Sequence, residues 1–221
     1  MKYRWPAIRR WLHAASTACF VAGVAVLLWP AVLTAVTNYE TGRIQTEALA
    51  AWDQESAHSP SAPSSLMVLE IPALALRRVV PEGATVQNLK RYGVGHISWT
   101  ALPPAAAGQE ILPISLPGGP PRTDVQETKT VGIAGHRTTY GAPFFRLGEL
   151  NIGDSIVLTY SGRRYLYRVD RRLTAQPSDS DVLEGETNEI ALVTCTPPLS
   201  AAYRLVVFGR LDSITPLTPG Q

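Results

Sequence analysis

Cysteine is almost missing from this chain, with two residues in 221, which excludes the disulfide-dense scaffold of a small secreted domain. Charge is scarce too: Asp, Glu, Lys and Arg make up 17%, against roughly 25% in an average soluble domain. Neither sign dominates the folded part, since Leu66 to Ser213 holds 15 basic and 14 acidic residues. The basic footprint of a nucleic-acid-binding protein is therefore absent. A βαβ rhythm is also lacking, which argues against a parallel α/β fold. Proline (18) and glycine (17) are plentiful and favour short strands and turns over a helical bundle. The length suits one compact domain with appendages.

One long stretch lacks charge altogether. From Trp11 to Val36, 26 residues pass without Asp, Glu, Lys or Arg, where about 20 helical residues span a bilayer. Trp11 and Trp29 sit where an aromatic belt would lie, and Lys2, Arg4, Arg9 and Arg10 precede the run. That asymmetry predicts a cytoplasmic N-terminus and an extracytoplasmic remainder. A cleaved signal peptide is the rival reading. The length of the run and the poor cleavage pattern near Leu33-Thr34-Ala35 count against it. The expected organisation is a cytoplasmic basic segment (1–10), an anchor (11–36), a stalk and linker (37–65), a domain (66–213) and a disordered tail (214–221). In the linker, Ser56–Ser65 holds five Ser and two Pro in ten residues and cannot build a core.

Within the domain, Leu66–Ile71 and Thr130–Ala134 read as strands, and Ala84–Tyr92 as a short helix closed by Gly93. Pro103–Pro121 includes six prolines and is expected to be a surface loop. Pro143–Leu150 suggests one or two helical turns. Ser155–Tyr160 and Arg163–Val169 alternate apolar and polar residues across Ser161-Gly162, which predicts a hairpin. Ile190–Thr194 and Tyr203–Leu211 complete a mostly-β closed sheet or barrel with short helices.

Cysteine arithmetic locates the chemistry. Cys19 lies inside the apolar run, so Cys195 is the one thiol available to the domain. A lone thiol outside the cytoplasm is a candidate nucleophile, although free cysteines often serve as small buried hydrophobes. Cys195 ends an apolar strand and precedes Thr196-Pro197-Pro198, which turns the chain out of the sheet. A nucleophilic thiol needs a basic or cationic neighbour. His13 falls in the anchor and His58 in the linker, which leaves His96 and His136; spacing alone does not choose between them. Arg204, nine residues after Cys195, would share a rim with it if the two strands are adjacent, and could stabilise an oxyanion. Asp179, Asp181, Glu184, Glu186 and Glu189 are candidates for a weak Ca²⁺ site, without EF-hand spacing. Arg163, Arg164, Arg168, Arg171 and Arg172 are expected to form a solvated face.

Val131–Arg137 (VGIAGHR), Leu192–Pro197 (LVTCTP) and Tyr203–Val207 (YRLVV) resemble, in order, the three signature segments of sortases. Glu70-Ile71-Pro72, Val80–Gly83, Gly93–Leu102 and Gly141–Leu150 extend the likeness over roughly Leu66 to Leu211. The details are nearest to the class D and class E groups. The resemblance implies an eight-stranded sortase-type β-barrel, preceded here by a transmembrane helix, that acts as a membrane-anchored cysteine transpeptidase. It assigns Cys195 as nucleophile, His136 as general acid/base and Arg204 as the oxyanion and substrate cation. Thr194 would help shape the oxyanion site, and His96 becomes a loop residue. The implied substrates are proteins with an LPxTG-like sorting signal, and the acceptor is an amine of the cell wall or a pilin. The family's calcium site is not matched residue by residue. Ala105–Lys129 exceeds the usual connection. A hydrolytic cysteine peptidase and a silent membrane-tethered barrel are the competing readings; an L,D-transpeptidase lacks its Ser-His-Gly-Cys motif.

Overall fold

A computed structural model describes residues 5–58, 66–104 and 130–217. The expected loop at Pro103–Pro121 (apart from its first two residues), the long connection at Ala105–Lys129, most of the Ser/Pro linker and residues 218–221 lie outside these. The chain divides into two compact units, Met1–Thr37 and Asn38–Gln221.

Helix α1 (Trp5–His58) supplies all of the first unit's described structure. Its apolar side chains there, including Phe20, Leu27 and Trp29, are exposed. By length and composition this helix is able to cross a membrane. Where a linker is expected to begin at Ser56, the helix continues to His58.

The second unit holds the rest of α1 and a single eight-stranded sheet. Its strands are β1 (Met67–Ile71), β2 (Leu76–Val80), β3 (Val94–His96), β4 (Thr130–Gly135), β5 (Ser155–Tyr160), β6 (Arg163–Ala175), β7 (Glu189–Thr196) and β8 (Tyr203–Pro216). They are ordered β2-β1-β5-β6-β8-β7-β4-β3. All neighbours are antiparallel except β4 and β7, which run parallel. The two end strands meet at His96. Its amide donates to Pro81 O at 2.9 Å, and Glu82 and His96 form a parallel bridge. The result is a nearly closed barrel, which removes most of the exposed edge an open sheet would carry.

Local sequence explains the punctuation. Helix α2 (Val86–Tyr92) starts where the Thr85 hydroxyl accepts from Asn88 N, and ends at Gly93 in the left-handed conformation. Ser161 and Gly162 both take positive φ, 48° and 71°, the two-residue turn whose twist suits a β5–β6 hairpin. The first residues of the expected tail belong instead to β8: Ile214, Thr215 and Pro216 pair with Tyr165, Arg164 and Arg163. A 13-residue β6 leaves its early residues needing partners, and β8 extends to supply them.

Alternation decides the core. Ile190 and Leu192 of β7, with Leu205 and Val207 of β8, face the barrel interior beside Met67, Leu69, Ile133, Phe144, Ile156 and Tyr167. The intervening Ala191, Val206 and Phe208 face outward, yet they are also buried, under Leu183 of the short 3₁₀ turn Ser180–Leu183. Covering on both faces accounts for the near-continuous apolar runs in these strands.

The arginine-rich hairpin keeps much of its solvent exposure, as expected of a solvated face, and also makes specific pairs. Arg171 forms a two-point bond with the fully buried Glu189, whose Oε2 also accepts from Glu186 N, and lies 4.0 Å over the Phe208 ring. Arg164 pairs with Glu70 and Arg168 with Asp212, and Arg172 donates to Gly148 O. A buried carboxylate is tolerated only when charged and hydrogen-bonded partners replace its water.

Candidate active site

The parallel pair β4–β7 and the antiparallel pair β7–β8 determine which residues share a rim. Ala134 pairs with Val193, so two residues on, beyond the end of β4, His136 draws level with Cys195. Across the other side of β7, Cys195 is the direct register partner of Arg204. Adjacent strands lie about 4.8 Å apart, which makes Cys195 the middle member of a row of three. Cys195 shares parity with Ala191 and Val193, and Arg204 with Val206, so both point to the outer face above the second apolar cluster. Each is partly accessible.

His136 is anchored at its backbone. Its amide donates to Gly93 O at 2.9 Å, and its carbonyl accepts from Phe144 N at 3.1 Å. The imidazole lies against the Tyr140 ring, with centroids 4.8 Å apart and planes tilted by 38°. Burial removes water from the ring and holds its pKa below the ordinary histidine value, which favours the neutral form. The freedom of Gly135 beside it serves an aromatic ring: a Cβ there would stand 2.5 Å from Cδ2 of the buried Phe144.

His96 is not a loop residue. It ends β3, is fully buried, and engages both ring nitrogens: Nδ1 with Glu82 Oε2 at 2.7 Å, Nε2 with Ala101 O at 3.0 Å. Its place is the barrel seam, so the two histidines that spacing left unresolved are separated by tertiary structure.

Thr194 alternates to the opposite face from Cys195. It is buried and donates its hydroxyl to Gly135 O at 2.8 Å. It therefore ties β7 to β4 just before His136. The Arg204 guanidinium donates from Nη1 to Ala201 O and Tyr203 O, both at 3.1 Å, which folds it over its own loop.

Two residues near the site have no assignment from sequence alone. Arg137 donates from Nη1 to the carbonyl of Cys195 at 3.1 Å, while its Nε is buried without a partner among the described residues. Consecutive residues at the end of β4 thus flank Cys195, with His136 level with the thiol and Arg137 holding the cysteine backbone. Tyr140 is the other. Neither carried a signal in sequence, because arginine and tyrosine are ordinary in such loops.

Among the described residues no three His, Cys, Asp or Glu side chains converge to hold a metal. Glu189 is committed to Arg171, Glu186 to Arg210, and Asp179 accepts from Gln176 N.

Comparison with known proteins follows this geometry. The family model described as a sortase domain matches residues 115–212. Sortase SrtE1 of Streptomyces coelicolor is 27% identical over 220 residues, covering 90% of this chain and 56% of that protein. This chain therefore spans little more than half the length of that relative. Sortase D of Bacillus subtilis is 24% identical, covering 71% of this chain and 68% of that protein. Among solved structures, sortase E1 of Streptomyces coelicolor with a tripeptide in its active site superposes with a TM-score of 0.58 at 28% identity, covering 72% of this chain and 94% of the other. Sortase E of Streptomyces avermitilis gives 0.51 at 29% identity, covering 70% and 92%.

Proposed function

Because this chain belongs to the sortase family, we propose that it is a cysteine transpeptidase acting on an LPxTG-like sorting signal. The observation that carries the reading is the strand register that makes Cys195 the neighbour of both His136 and Arg204. In the first step, neutral His136 takes the thiol proton as Cys195 Sγ attacks the Thr–Gly carbonyl. The oxyanion that develops is held by Arg204, and collapse breaks the C–N bond with His136 delivering a proton to the departing amine. The product is a thioester on Cys195. In the second step, an amine of a wall peptide or a pilin attacks that thioester while His136 takes its proton, and the thiol is restored. The apolar cluster on the outer face beneath Cys195, built on Val193, Val206 and Leu183, supports a role in receiving an apolar side chain of the signal.

The residues N-terminal to the apolar run support an orientation with the N-terminus in the cytoplasm and the barrel outside. Protease treatment of intact cells should release a fragment beginning within or near Ser56–Ser65, and full protection would refute that orientation. The activity itself is tested by cleavage of a small library of LPxTG-like peptides, with and without an acceptor amine. The expected result is amine-joined product from the native chain and none from Cys195→Ala of unchanged circular dichroism. Cleavage that yields free acid whatever amine is supplied would identify a hydrolase instead. Persistent cleavage by Cys195→Ala would overturn the assignment of the nucleophile. Absence of both cleavage and Cys195 labelling by a thiol-reactive peptide would indicate a silent binding barrel.

A further inference from the structure

Asn38, Thr41 and Gln45 stand at i, i+3 and i+7 of α1 and so share one face of the helix. All three face the barrel. Gln45 is fully buried and acts as a surrogate strand: its Nε2 donates to Val79 O and Tyr92 O, and its Oε1 accepts from Val79 N, at 2.7–2.9 Å. Val79 lies in the end strand β2, so this amide satisfies backbone groups that an open edge leaves bare. The Thr41 hydroxyl donates to Lys90 O at 3.3 Å. Asn38 Oδ1 accepts from the amide of Gly141 at 2.8 Å.

Gly141 belongs to the loop after His136, and the backbone there is unusual. Tyr140, Gly141 and Ala142 have φ of 51°, 78° and 41°, three left-handed residues in succession. Non-glycine residues hold that conformation only where their surroundings impose it. Here the restraints are Ala142 N to Thr139 O at 2.9 Å, the close approach of Gly93 to Tyr140 O, and Asn38 on Gly141. The same loop presents Tyr140 to the His136 ring.

We propose that Asn38 is a positioning residue for the active site: by accepting from Gly141 it holds the Tyr140–Ala142 loop in the conformation that orients His136. The segment of α1 from Asn38 to Gln45 is then a strut of the catalytic machinery, not a spacer. The proposal rests on the role given to His136 above, but its test has one arm that needs no substrate.

The test uses the full chain in detergent micelles, with Asn38→Ala, Asn38→Asp and Asp53→Asn. Aspartate keeps an acceptor oxygen on the same stem. Asp53→Asn perturbs the two-point pair with Arg77 elsewhere on the helix and serves as a control for general loosening. Two quantities are read: peptide cleavage, and the NMR titration midpoint of His136, identified by its loss in His136→Gln. Charged or titratable groups around His136 are Arg137, Tyr140, Cys195 and Arg204, all unchanged in these variants. Asn38→Ala should cut cleavage about tenfold, the factor a typical hydrogen bond controls. Its His136 midpoint should move up toward the ordinary value as water reaches the ring. Asn38→Asp should restore most of the cleavage, and Asp53→Asn should change neither quantity. An unchanged midpoint and rate in Asn38→Ala would overturn the proposal, as would an equal effect from Asp53→Asn. If the native chain cleaves no sorting peptide, the transpeptidase reading fails, while the His136 midpoints still decide whether Asn38 orders that ring.

Discussion

Gly135→Ala is the sharpest test of how the barrel presents His136. A Cβ at this position would stand 2.5, 2.7 and 3.0 Å from Cδ2, Cε2 and Cγ of Phe144, where carbon atoms prefer about 3.5–4.0 Å. Something must move by about 1 Å, and the ring has nowhere to go, because Phe144 is fully buried in the main core. Overpacking of this kind costs about 1–3 kcal/mol. At roughly 2–4 °C per kcal/mol for a domain of this size, the melting temperature should fall by roughly 2–12 °C. The functional effect should be larger than the loss of stability suggests. Phe144 N donates to the carbonyl of His136, so displacement of either the ring or the end of β4 moves the imidazole. A shift of about 1 Å at a catalytic group can lower turnover by about 10². The assays are thermal melting by circular dichroism and peptide cleavage on the same preparation. Gly148→Ala is the control, since a Cβ there meets nothing nearer than 3.5 Å, and both readouts should stay near normal. Adding Phe144→Leu to Gly135→Ala should relieve the clash and recover part of the activity, a coupling that independent sites would not show. A native melting temperature and rate in Gly135→Ala would refute the reasoning.

Other outcomes follow from named contacts. Arg204→Ala should lose about 10²–10³ in turnover, the usual worth of an oxyanion donor. Arg204→Lys should recover little, because an ammonium cannot reproduce the planar fork; near-normal rates in Arg204→Ala would make it an ordinary strand residue. Arg171→Ala should destabilise by about 3 kcal/mol or more, because it leaves a buried carboxylate uncompensated. Glu189→Gln should cost less, since Arg171 keeps 41% exposure and can take up water; denaturant melts showing the reverse order would contradict this. The pH dependence of stability should carry the signature of His136. Its folded pKa is depressed by burial, so in acid the unfolded chain binds a proton that the folded chain resists. Its contribution is fully present above the unfolded value of about 6.5 and is lost as pH falls toward the folded one. The stability of the native chain relative to His136→Gln should therefore shrink as pH falls below the ordinary histidine value of about 6.5, and a constant difference would argue against a buried, neutral imidazole. Arg137→Ala should lower turnover more than it raises KM, because the bond it removes holds the Cys195 backbone and not the substrate.

Much of the barrel was legible in the sequence because it depends on short-range rules. The Ser161-Gly162 turn, the Gly93 helix stop and the alternation in β5 and β6 are local chemistry, and the structure agrees with each. Element ends were less legible. Nothing in Ile214–Pro216 announces a strand, since those residues are extended only by pairing with Arg163–Tyr165. Asn38, Thr41 and Gln45 read as a polar stalk for a related reason: a buried polar face looks like an exposed one until its partners are known.

For the site, the sequence by itself determined the candidate nucleophile, because a single thiol outside the apolar run leaves no other choice. It also determined that the arginine nine residues later would open a neighbouring strand, if the two strands were adjacent. Residue spacing did not separate the two histidines, and the tertiary structure shows the physical difference between them. His96 closes the barrel seam with both ring nitrogens occupied, while His136 lies level with Cys195 through the one parallel strand pair. It alone turned Thr194 away from the rim and brought Arg137 to the Cys195 carbonyl. The physical reason is range. Propensity, capping and turn chemistry act over a few residues, whereas 59 positions separate His136 from Cys195, and only sheet register carries a relation across that distance.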